Sequence, residues 1–124
     1  MSRRLIWAFA AFYLLTGLYI AVLPQDFYLN APGVWETGPY NMHFMRDVGF
    51  AFTTSSIAIG YGIFANQKPL MVFGSLWLLV HGLFHLTLWV VHGMHLDGAA
   101  LIDAVVVSIP AIAVFVLCLR YRAE

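Results

Sequence analysis

Four long apolar runs, broken by short polar or turn-forming stretches, set the pattern of this chain. They cover about residues 5–23, 42–65, 70–92 and 98–119. Each is close to the twenty or so residues that, at about 1.5 Å per residue, cross roughly 30 Å of hydrocarbon. Pro24 closes the first run, Asn66, Gln67, Lys68 and Pro69 separate the second from the third, and the stretch from Gly93 to Gly98 separates the third from the fourth. Prolines and glycines cannot continue a helix at low cost, so these breaks read as helix ends. The expected fold is all-α, a single integral-membrane domain over residues 1–124 in which four helices run up and down as a bundle.

One long link remains, residues 24–41, rich in Pro, Gly and the aromatics Phe27, Tyr28, Trp35 and Tyr40. Rings of this kind concentrate at headgroup level, so this link is expected to lie over one end of the bundle. Composition agrees with the span pattern: 62% of the residues are hydrophobic and 10% charged, against about a quarter charged in ordinary globular domains. Arg3, Arg4 and a following apolar run resemble the start of a secretory signal. That run exceeds the usual 7 to 15 residue signal core and lacks a small-x-small cleavage site, so it is read as a retained first helix.

Charge adds orientation. Arg3, Arg4, Lys68, Arg120 and Arg122 fall on one side of a four-crossing topology, which makes that side, with both termini, cytoplasmic. Six basic residues balance six acidic ones, so nothing points to nucleic acid; the expected partners are the lipid bilayer and either a larger membrane complex or further copies of the chain. Cys118 is the single cysteine and reads as a small hydrophobe. No nucleophile stands beside a base, and there is no glycine-rich phosphate loop or cysteine-rich metal motif, so hydrolase, kinase and iron–sulfur chemistry find no support.

What needs explaining is the polar chemistry inside the apolar runs. On one helix His85, His92 and His95 fall within about 40° of His81, a column of imidazoles about 21 Å long. The second run opens with His43, Arg46 and Asp47; His43 and Asp47 share a face that continues to Thr54 and Tyr61. The fourth run carries Asp103. Counted from the outer helix ends, His85 lies about 10 Å below His92, Asp103 about 7 Å below Gly98, and Asp47 about 6 Å below His43. Because polar side chains facing lipid cost several kcal/mol each, these groups are expected to converge.

The expected site is therefore a His/Asp cluster on the extracytoplasmic side, with His43, Asp47, His81, His85 and Asp103 as candidate ligands and His92 and His95 peripheral. Arg46 is expected to neutralise Asp47 or Asp103 in a structural ion pair. Imidazoles and carboxylates on facing helices are how helical bundles hold transition metals, and histidines on two helices are how they hold haem, with Trp77, Phe84 and Trp89 available as walls. A metal- or haem-binding redox or electron-transfer protein is the leading expectation. The alternatives are a non-catalytic accessory subunit of a larger complex, or a binder of quinones or other lipophilic small molecules. Whether the protein is an enzyme stays open at this point.

The string Asn41-x-His43-Phe44-x-Arg46-Asp47-x-Gly49, followed by His81-x3-His85 and then Asp103, resembles small uncharacterised bacterial inner-membrane proteins of four helices. In size and helix count alone the chain is also similar to the broad DoxX-type group. The first resemblance implies a bacterial inner-membrane location. The other brings no residue roles, since no functional motif of that group matches here.

Overall fold

The computed structural model describes residues 2–91 and 98–122, and the described residues contain helices and turns but no strand. Helix α1 spans Ser2–Val22, α2 Pro24–Asn30, α3 Met42–Phe64, α4 Lys68–Val91, α5 Gly98–Ile102 and α6 Ile109–Arg120; a π-helical turn, Asp103–Ser108, joins α5 to α6, and a 3-10 turn covers Val34–Thr37. The long helices fall within a few residues of the four apolar runs.

Local chemistry explains where they stop. Pro24 cannot donate a backbone hydrogen bond, so α1 ends before it and the proline becomes the first residue of α2. Asn41 caps α3: its Oδ1 accepts the Phe44 backbone N–H at 3.1 Å, which satisfies an otherwise orphaned donor. Asn66, in the left-handed region at φ 54°, turns the chain from α3 into α4. The link between α1 and α3 is more structured than a plain loop, since α2 packs on both helices and the Tyr28 hydroxyl donates to Gly38 O at 2.8 Å.

Among the described residues three helices are long and apolar enough to cross a membrane: Arg3–Val22, Lys68–Val91 and Ala100–Arg120. The expectation of four is thus met in part. Helix α3 has the length, 23 residues, but His43, Arg46 and Asp47 at its start and the run Thr53 to Ser56 at its middle dilute its apolar character.

Packing runs α1 on α3, α3 on α4 and α4 on α6, with α6 also touching α1. Small residues set the closest approaches. A Cβ on Gly17 of α1 would lie 2.7 Å from Thr53 N and 2.8 Å from Gly49 O of α3, so the two backbones touch directly. Such contact gains dispersion energy that lipid tails cannot match, which is what associates helices where no water is expelled. Ile59 and Ile63 of α3, Met71 and Leu78 of α4 and Val114 of α6 are fully buried members of one core cluster. At the far end the Tyr121 hydroxyl meets Asn66 Oδ1 at 2.6 Å, tying the end of α6 to the α3–α4 turn.

Candidate functional site

Helix α4 presents Trp77, His81 and His85 on one face at four-residue intervals, with Gly82 alongside. The His81 ring lies parallel to Trp77, 13° between planes and 4.9 Å between centroids, and meets the edge of Phe52 from α3 at 5.2 Å. His85 follows at 4.7 Å from His81, steeply inclined to it, with Phe84 beside it at 6.2 Å. Phe52 continues the ring contacts toward α1, stacked on Tyr13 at 5.7 Å. Two imidazoles therefore sit in a wall of aromatic rings drawn from three helices, rather than on a lipid-facing stripe.

Asp103, the first residue of the π turn, closes the site. Its Oδ2 lies 2.9 Å from His85 Nδ1, and the two side chains are 44% and 20% exposed. An ionised carboxylate only accepts hydrogen bonds, so Nδ1 is then the protonated nitrogen and a neutral His85 carries its lone pair on Nε2. The carboxylate thus selects the tautomer and holds the ring in place.

The structure unites two of the three residues expected to converge and separates the third. Asp47 bonds to His43 on its own helix, Nε2 to Oδ2 at 3.4 Å, with the side chains 58% and 89% exposed. Tyr61, on the same face, is exposed too, and Thr54 is not part of the site. The reason is rotational. The buried stripe of α3 is Met45, Gly49, Phe52, Ser56, Ile59 and Ile63, and Asp47, two residues from both Met45 and Gly49, points roughly 200° away from each. The expected ion pair is likewise corrected: Arg46 is exposed, and among the described residues Asp47 meets His43 and Asp103 meets His85, with Arg46 in salt-bridge reach of neither acid.

Among the described residues no three His, Cys, Asp or Glu side chains come together as a set able to hold a metal ion. His81 and His85 are neighbours, His85 and Asp103 are bonded, and His43 with Asp47 forms a separate exterior pair. His92 and His95 lie outside the described residues.

Sequence reasoning passed over two residues that build the site. Ser108, 1% exposed, donates its hydroxyl to Gly82 O at 3.0 Å, clamping the π turn to α4 one turn from His85. Phe52 supplies the α3 wall. Ser108 carried a signal in the chain, an acid and a serine five apart with a proline two residues beyond, whereas Phe52 has nothing in its sequence context to set it apart from other core aromatics. Comparison of the chain with protein-family models, with curated proteins and with solved structures finds no match.

Proposed function

We propose that this chain is a bacterial inner-membrane protein crossing the bilayer four times with both ends cytoplasmic, and that the Asp103-oriented His85 is a hydrogen-bonding and proton-accepting site for a lipophilic ligand of the quinone class. For the fourth crossing the support is packing. Helix α3 lies between α1 and α4 along its length, from Gly17 against Thr53 to Trp7 against Gly60 on one side and from Gly74 against Ser55 to Gly62 against Met71 on the other. A helix held between two crossing helices crosses with them, and its exposed His43, Arg46 and Asp47 then fall at headgroup level. Orientation rests on the basic residues Arg3, Arg4, Lys68, Arg120 and Arg122 at one side. A Glu36→Cys variant should react with an impermeant thiol reagent in intact cells and Lys68→Cys should be protected; the opposite pattern refutes the orientation.

One observation carries the ligand reading: the 2.9 Å contact between His85 Nδ1 and Asp103 Oδ2, joining α4 to the π turn. It leaves Nε2 of a ring flanked by Phe84 and by His81, which is itself stacked on Trp77 and edge-on to Phe52, in place of three converging ligands. A flat ring with a carbonyl or hydroxyl edge suits that arrangement, since aromatic faces stack on it and Nε2 takes its proton or, once protonated, donates to its oxygen. The bilayer is also where such a ligand concentrates. Purified protein in lipid nanodiscs, titrated with a short-chain ubiquinone analogue, should show saturable quenching of tryptophan fluorescence, weakened roughly tenfold by His85→Ala and by Asp103→Asn. Stoichiometric metal by elemental analysis or a Soret band would replace the quinone reading with the metal or haem one. Absence of both, no quenching, and copurification with a larger assembly would make the chain an accessory subunit.

A further inference from the structure

Asp103 and Ser108 are five residues apart, and in an uninterrupted α-helix they would point about 140° away from each other. Here both face α4: Asp103 Oδ2 meets His85 Nδ1 at 2.9 Å, and Ser108 Oγ donates to Gly82 O at 3.0 Å. His85 and Gly82, three apart, share one side of α4. Ala111, three residues beyond Ser108, continues the contact, since a Cβ on Gly82 would lie 2.7 Å from Ala111 Cβ and 3.3 Å from Ser108 Cα.

The π geometry of residues Asp103–Ser108 reconciles these contacts. Its last bond runs from the Ile109 N–H to Ala104 O, five residues back, where an α-helix would bond to the fourth. Such a turn holds one more residue than an α turn, so Ser108 lies nearly over Asp103. Pro110 stands just beyond. It has no N–H for the carbonyl of Val106, and in α geometry its ring would crowd that same carbonyl. The α alternative is thus penalised at this place, and the wide turn supplies the Ile109 bond instead.

We propose that Pro110 is a positioning residue for the site: by holding the turn above it in π geometry, it aims Asp103 at His85. With α6 anchored on α4 through Ser108 and Ala111, relaxing the turn to α rotates Asp103 by the angle of one residue, roughly 100°, off the α4 face. This inference rests on the His85–Asp103 and Ser108–Gly82 contacts and the π bond at Ile109, not on the quinone reading, and holds whatever ligand the site takes.

The test is the imidazole nitrogen spectrum of His85 in full-length, 15N-histidine-labelled protein, with His85→Gln to assign the signals and Asp103→Asn to mark loss of the carboxylate. Pro110→Ala, which adds helix propensity and whose folding is checked by circular dichroism, should move the His85 signals from the wild-type positions toward those of Asp103→Asn. Removing Val105 as well puts Asp103 and Ser108 four apart, about 40° on a continuous α-helix, and should bring the signals back. Wild-type signals in Pro110→Ala overturn the proposal, as does a folded deletion variant that fails to restore them. Because no quinone, metal or haem enters this measurement, its failure is distinct from failure of the ligand reading.

Discussion

Among the described residues two histidine–aspartate pairs share a composition and differ in spacing, exposure and distance. His43 and Asp47 sit one turn apart on α3, mostly in the open, at 3.4 Å. His85 and Asp103 come from α4 and the π turn, eighteen residues apart, partly buried and at 2.9 Å. The α3 pair exists wherever α3 is a helix, because four-residue spacing makes neighbours of any two side chains. It costs little to break, since water or headgroups replace each partner. The pair between α4 and the π turn exists only if α4 and α6 dock in one register with one extra residue in the turn, so it reports tertiary structure. A pair that depends on the whole fold can be poised by the fold, which is why the site is placed there.

The largest effect that would break this contrast is expected at Gly82. Its missing Cβ is what lets Ala111 and Ser108 approach, so Gly82→Val should force α4 from the π turn and destabilise the protein by about 3 kcal/mol. Thermal unfolding in detergent measures the loss, and labelled-histidine spectra should show His85 changed and His43 unchanged. Retained stability with an intact His85 environment would mean that the helices do not touch there.

A smaller loss is expected for Asp103→Ala. It strips a part-buried imidazole of its partner, a penalty of about 1 kcal/mol, the low end for a lost partner because Asp103 is 44% exposed on its side chain. Denaturation of Asp103→Ala, His85→Ala and the double variant forms a cycle whose coupling term should be nonzero; additive losses would show that the two side chains do not interact. Least affected should be Asp47→Ala and Arg46→Ala. Each is expected to change stability by less than about 0.5 kcal/mol, the scale of an exposed i,i+4 pair, and to leave His85 spectra unaltered. A loss of several kcal/mol for Arg46→Ala would restore the buried ion pair that the apolar setting suggested and bring the exterior pair into the site.

Apolar run lengths with their proline and polar breaks sufficed to place the helical stretches to within a few residues, because where a helix can run is set mainly by local chemistry, although the fourth stretch divides into α5, the π turn and α6. Depth was equally readable: a fixed rise per residue places His85 and Asp103 in one layer, and they meet. Rotation was not. Which face of α3 turns inward follows from where Gly17 and Gly49 let its backbone lie against α1, a choice made by two helices together, and it carries Asp47, Arg46 and His43 to the outside. Asp103 likewise faces His85 only because the turn it opens holds an extra residue. That fact belongs to the docking of Ser108 and Ala111 on Gly82 and, in sequence, leaves only the trace of Pro110. Periodicity measures angles along one ideal helix, whereas the angle of one helix against its neighbours is set by contacts between residues far apart in the chain, and only the folded molecule holds those contacts.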